Sequence, residues 1–217
     1  MKRIFISCAL FLCTISLSAQ TKMTAKEAAL KIADRILDST TYEFKNTKTG
    51  EVYKSVKKLP LSMDVKVACK YNNWHYTNGV TNIALMELAD KVGDKKYDKY
   101  VLKNMNFVFN EGNLDFFRRQ YDQAFKDGGW NAVRKLSWHM IFRGKRLDDN
   151  GPMGASLIEL QMRHPNEAFL SYVNETADHL NYAEPRLVDG TIARLWPHVN
   201  TIWADDAFMA ISFLARM

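Results

Sequence analysis

Apolar residues recur at helical spacing along most of the chain, and nowhere does an alternation with period two persist long enough to specify a strand. Residues 25–37 read as a first amphipathic helix, with Thr24 placed to cap it. Val80, Ile83, Ala84, Leu88 and Val92 form one stripe, Gly93 is a helix stop, and Asp94 can open the next helix, which carries Tyr97, Tyr100, Val101, Met105 and Val108. That pattern predicts an αα-hairpin with a tight turn. A further helix is expected from Pro152 through Leu160, with proline in the first turn where its missing N–H is harmless, another over residues 166–180, and a last one from Asp205 to the end. The expected fold class is all-α, built of antiparallel hairpins that close as a bundle or stack as a toroid. Between the helices, residues 42–78, 127–150 and 183–202 form long polar, aromatic-containing segments, of a length that marks functional loops or structure hidden from periodicity.

The first residues follow another rule. Lys2 and Arg3 precede an apolar stretch over residues 4–17, and Leu17-Ser18-Ala19 has the form of a small-residue cleavage site, so residues 1–19 are expected to be a signal peptide and residues 20–217 the mature domain. The stretch is short for a membrane span, and Thr14, Ser16 and Ser18 dilute it, so no stable membrane anchor is expected after cleavage. Export implies a secreted protein, periplasmic where the source has two membranes. Only Cys69 remains in the mature part, which excludes an internal disulfide and a thiol metal site.

Composition adds little beyond a globular class: 47% hydrophobic and 25% charged residues suffice for one core. The formal charge of +6 falls by two to about +4 when Lys2 and Arg3 leave, and the basic residues are scattered, which argues against nucleic acid as a partner. Oligomeric state is not legible.

Two acidic pairs stand where long loops enter helices, Asp148-Asp149 and Asp205-Asp206. Acids in a first helical turn complement the dipole and cap free N–H groups, and that structural role is available to both pairs. Loop-to-helix junctions at one end of a helical array also bring carboxylates from different hairpins into one cleft, where like charges keep a proton between them. Such a cleft offers a general acid and a partner base.

The wording around both pairs is more specific. The run Arg143-Gly144-Lys145-Arg146-Leu147-Asp148-Asp149-Asn150-Gly151-Pro152-Met153-Gly154-Ala155 resembles the first acidic motif of glycoside hydrolase families 88 and 105, the unsaturated glucuronyl and rhamnogalacturonyl hydrolases. The second motif of that group is similar to Asp189-Gly190-Thr191-Ile192-Ala193-Arg194, then Pro197, then Thr201-Ile202-Trp203-Ala204-Asp205-Asp206-Ala207-Phe208-Met209 and Phe213-Leu214-Ala215-Arg216-Met217. Trp74-His75-Tyr76-Thr77-Asn78-Gly79-Val80 fits its early hairpin.

The resemblance implies the N-terminal part of an (α/α)6 barrel, truncated relative to the family, because members continue past the Phe213–Met217 run. It implies removal of a terminal 4,5-unsaturated uronic acid from lyase-generated acidic oligosaccharides of pectin or rhamnogalacturonan type. In that chemistry an acid protonates C4, water adds at C5, and the resulting hemiketal opens, with no displacement at the anomeric carbon, so the carboxylate-spacing rule for ordinary glycosidases does not apply. Matched onto this chain, Asp205 is the acid and water-activating base and Asp148 the second catalytic carboxylate. Asp149 and Asp206 support or cap. Arg194 and Arg146 are candidates for the substrate carboxylate or for local salt bridges. Trp74, Trp196 and Trp203 are candidates for stacking on a sugar or for packing, and His75 and His198 for hydroxyl contacts or a structural role. No His pair, Gly-rich phosphate loop or nucleophile elbow occurs, so neither metal nor organic cofactor is expected. The competing expectations are an inactive helical remnant that at most binds acidic sugars, and, less in keeping with the acidic motifs, a helical-toroid epimerase or isomerase.

Overall fold

In the computed structural model residues 23–143 and 147–217 are described, Glu111 and Asp149 for their backbone alone. The expected leader and Arg146 lie outside the described residues. Helices dominate: α1 (Ala25–Ser39), α2 (Tyr76–Val92), α3 (Lys96–Val108), α4 (Glu111–Val133), α5 (Leu147–Arg163), α6 (Glu167–Asp178) and α7 (Ala204–Leu214). None of the described helices is long and apolar enough to cross a membrane.

Several helix ends follow local chemistry visible in the sequence. Thr24 and Glu27 cap α1 reciprocally: the Thr24 hydroxyl accepts from Glu27 N–H at 3.2 Å and the Glu27 carboxylate accepts from Thr24 N–H at 2.8 Å. Gly93 ends α2 at φ +70°, a left-handed conformation that favours glycine. The Asp94 carboxylate then accepts from Lys96 N–H at 3.0 Å and starts α3. Asn166 caps α6 through Ala168 N–H at 2.8 Å.

Three features depart from the expected pattern. Residues 42–78 contain β1 (Phe44–Asn46), β2 (Val52–Tyr53) and β3 (Val65–Val67), an antiparallel sheet in the order β2-β1-β3 with Phe44 opposite both Tyr53 and Val67. Strands of two or three residues cannot display a period of two. Helix α4 occupies a stretch for which no helix was expected, and its backbone breaks from helical geometry at Gly128 and Gly129. Helix α5 begins at Leu147, not Pro152, so the proline is interior and its missing N–H deprives the Asp148 carbonyl of its usual intrahelical donor.

The core is aromatic at its centre. Trp74 is 0% exposed and meets Phe109, Trp138 and Tyr172 edge-on or tilted, with ring centroids 4.8–6.3 Å apart. Phe44 of β1 joins Phe107, Phe116 and Phe117, which locks the small sheet onto α3 and α4. The amide of Gln120 donates to the Val65 carbonyl at 2.9 Å, so the sheet is also tied to α4 by a buried hydrogen bond.

Helix α5 is the hub, packed against α2, α6 and α7. Two glycines allow its close approaches. A Cβ at Gly79 of α2 would overlap the backbone of Pro152 and Met153, and one at Gly151 of α5 would overlap the Met209 carbonyl of α7. Gly151 faces Met209, Gly154 faces Phe213, and Glu159 binds Arg216 at 2.8 Å. These contacts ascend together along both helices, so α5 and α7 are parallel and their N-termini share one end of the array. Gly151→Ala is therefore expected to push α7 away, lowering stability by about 1–3 kcal/mol as overpacking does. A urea unfolding midpoint equal to the wild type would contradict that packing.

Candidate active site

Parallel packing of α5 and α7 brings two helix N-termini, each with unpaired N–H groups and a partial positive charge, to the same place. Asp148 stands in the first turn of α5, and Asp205 and Asp206 in the first turn of α7. Between them reaches Arg194, from the loop that precedes α7. That loop is folded back on itself: Leu187 and Thr191 pair across a turn at Gly190, Ala193 N–H donates to the Pro185 carbonyl at 2.9 Å, and Arg194 N–H donates to the Thr201 carbonyl at 2.8 Å. Backbone bonds on both sides thus fix the direction of the arginine.

Its guanidinium organises the acids. Nε donates to both oxygens of Asp206 at 2.8 and 2.7 Å, and Nη2 donates to Asp206 Oδ1 and to Asp148 Oδ1, the latter at 2.8 Å. Asp205 Oδ2 lies 4.0 Å from the same nitrogen, outside hydrogen-bond reach. Trp203 stacks over the guanidinium, with the carbon 4.2 Å from the ring centroid. The hydrogen bonds that Arg194 donates to Asp206, with the nearby charges of Asp148 and Asp205 adding to them, raise the arginine well above its already high ordinary range, so it is permanently charged.

Adjacent residues of α7 consequently have opposite surroundings. Asp206 is 4% exposed, accepts from Trp203 N–H at 3.2 Å and is engaged by Arg194. Asp205 keeps a side chain 54% exposed. A cavity of about 120 Å³ opens at this point, lined by Asp148, Glu184, Arg194 and Trp196 among others.

The expected site residues are therefore sorted by placement. Asp148, Asp205, Asp206, Arg194 and Trp203 come together. Trp74 does not join them: it is fully buried among aromatic rings and has no face for a sugar. Arg194 is committed to Asp206 and Asp148, which removes it as the free anchor for a substrate carboxylate. Asp206 is turned inward and supports the cluster, out of reach of a ligand. His75 is the N-cap of α2, its Nδ1 2.8 Å from the Thr77 hydroxyl and accepting from Thr77 N–H at 3.4 Å. His198 is exposed on the turn before α7, where its carbonyl accepts from Thr201 at 2.8 Å. The Asp149 side chain lies outside the described residues. Among the described residues no group of three or more His, Cys, Asp or Glu is placed to hold a metal ion.

Glu184 and His179 were not anticipated. Their Oε2 and Nε2 are 2.8 Å apart, and Glu184 borders the cavity. The two are five residues apart, and no helical or strand period read from sequence places such residues side by side.

An all-α array that gathers acids from the starts of α5 and α7 on one arginine can serve acid–base chemistry. The comparison with protein families supplies the class. The family Glycosyl Hydrolase Family 88 matches residues 52–217, and the chain belongs to it. Members are glycoside hydrolases acting on unsaturated uronides, which agrees with the all-α fold. No curated protein matches the chain.

Removing Arg194 would leave Asp206 buried, charged and unpaired. Arg194→Ala is expected to lower stability by about 3–5 kcal/mol, the usual penalty for breaking a buried pair from one side. Arg194→Ala combined with Asp206→Asn should recover part of that loss. Chemical denaturation of the single and double variants reads both effects, and a single variant as stable as the wild type would show that the pair contributes nothing.

Proposed function

We propose that the chain removes a terminal 4,5-unsaturated uronic acid from acidic oligosaccharides of the pectin or rhamnogalacturonan type, with Asp205 as general acid and Asp148 as its partner. The observation that carries this reading is the meeting of Asp148 and Asp205, from two different helices, around one arginine that lines a cavity together with Asp148.

The division of labour follows from the surroundings. Asp205 is exposed and beyond hydrogen-bond reach of Arg194, so it is the carboxyl able to meet the sugar and exchange a proton with it. It delivers that proton to C4 of the C4=C5 double bond, and as a carboxylate it accepts one from the water that adds at C5. The hemiketal formed at C5 then opens to a ketone, which leaves C1 as a hemiacetal, and collapse of that hemiacetal to an aldehyde releases the rest of the oligosaccharide as an alcohol, so one water is consumed and the proton on Asp205 is restored. Asp148 borders the cavity and holds one oxygen on Arg194, which fixes its direction relative to Asp205. Asp206 and Arg194 neutralise one another beneath and keep the two helix starts together. Trp196, which lines the cavity, and Trp203, which stacks on Arg194, are both exposed and are the aromatic residues placed nearest a bound sugar.

The setting for this activity is outside the cytoplasm, a reading that rests on the charged, apolar and small-residue succession of residues 1–19.

The test follows the ultraviolet absorbance of the double bond in an unsaturated rhamnogalacturonan disaccharide mixed with the purified protein. Wild type should remove the absorbance, and Asp205→Asn should slow it by about 10² or more, the scale of a lost general acid. Asp148→Asn should also slow it with the fold intact. No loss of absorbance from wild-type protein that unfolds cooperatively would overturn this reading and leave a chain that binds acidic sugars without turning them over.

A further inference from the structure

Helix α6 does not end in an ordinary turn. It is continued by His179–Ala183, a π-helical turn in which Glu184 N–H donates to the His179 carbonyl at 2.8 Å. Such turns are rare and concentrate at functional sites. Here the wider turn aligns residues five apart, and it places the His179 ring against the Glu184 carboxylate with Nε2 and Oε2 at 2.8 Å. Both side chains are withdrawn from water, Glu184 to 7% and His179 to 15% exposure.

The pair lies between two cavities. Glu184 borders the cavity of Asp148 and Arg194, while His179 borders a second one of about 180 Å³ with Asn150, Tyr172 and Glu175. Asn150 is two residues beyond Asp148 on α5 and accepts from the Tyr172 hydroxyl at 3.0 Å. The charged groups that act on Glu184 are His179 at the end of α6, Asp206 on α7, and Arg186 on its own loop, with Asp148 and Arg194 on the same cavity wall. Arg186 is itself held by the carbonyls of Leu180 and Gly190 at 2.9 and 2.8 Å.

We infer that Glu184, paired with His179, is a positioning residue of this site, whose charge acts on the Arg194–Asp206 pair from inside the cavity wall and sets the pH range over which the site works. The inference rests on the function proposed above for the same cavity. Burial pushes the Glu184 carboxyl above its usual range, and the charge of Asp206 pushes it further, while His179 and Arg186 pull it back. Glu184 therefore changes charge at a higher pH than an ordinary surface glutamate. Its folded form binds the proton more tightly than the unfolded chain does, so more protons are bound in the folded state across that window. Stability accordingly falls as pH rises through it. Glu184→Gln removes that fall and is expected to be no less stable than wild type at neutral pH.

The experiment compares wild type, Glu184→Gln and His179→Gln in the full chain by two readouts. The first is kcat/KM for the unsaturated disaccharide against pH. A neutral residue at 184 leaves less negative charge around the cluster, so the remaining carboxyls ionise at lower pH. The alkaline limb of the profile should move acidward, with kcat/KM above the optimum lowered roughly three- to tenfold, corresponding to a half to one pH unit. The second readout needs no turnover: carbon-13 titration of the aspartate carboxyls should show a site aspartate moving to lower pH in Glu184→Gln. His179→Gln should act in the same direction, because Glu184 without its partner keeps its proton to higher pH. Unchanged profiles and aspartate titrations in either cooperatively folded variant would overturn the inference. Absence of turnover in wild type would fail the proposed function alone, and the titration would still decide the role of Glu184.

Discussion

The Arg194 guanidinium is the constraint on which the rest of the site depends. Asp148, Asp205 and Asp206 begin two helices that pack in parallel, so three like charges are forced into one small region. Without a cation between them their mutual repulsion would oppose the packing of α5 on α7. Arg194 resolves this with planar geometry: one edge takes both oxygens of the buried Asp206, the next nitrogen reaches Asp148, and the Trp203 ring covers a face. The loop that delivers it is held by backbone bonds at Ala193, Arg194 and Asn200, so the arginine arrives already oriented.

The glycines of the hub explain why that convergence is possible at all. Gly151 lets α7 lie against α5 at backbone distance, and Gly79 lets α2 do the same on another side. A larger residue at either position would separate helix axes and, at Gly151, the acids carried at the starts of α5 and α7. Packing and chemistry are thus coupled through a few small residues, while Trp74, Trp138 and the surrounding phenylalanines supply the buried area that holds the array.

Much of this was legible in the sequence, because it is written in local signals. Thr24, Gly93 and Asp94 mark helix ends by capping chemistry, and the two acidic pairs stand out at loop-to-helix junctions. What escaped lacked a local signature. Strands of three residues have no period, and α4 carries two glycines that interrupt its helical reading. Pro152 looked like a helix start, yet α5 begins five residues earlier and tolerates the lost hydrogen bond near its end. Trp74 resembled a sugar platform because an indole reads the same whether it faces a cleft or a core. The bond from Arg194 to Asp148 joins residues 46 positions apart, so it became visible only in three dimensions.

The different fates of Asp205 and Asp206 show how a helix start assigns roles to identical side chains. Successive residues of an α-helix point about 100° apart. When α7 is seated on α5, one of the two acids must therefore face the interior and the other the solvent. The inward one, Asp206, requires a cation and finds Arg194, and its carboxylate also accepts from Trp203 N–H at the junction. The outward one, Asp205, feels that cation at 4.0 Å without being bound by it. A buried carboxylate fixed by hydrogen bonds is closed to a ligand, whereas its exposed neighbour is open to one. The same acidic doublet therefore supplies a buried anchor and an exposed carboxylate, and the phase of α7 relative to α5 decides which residue is which.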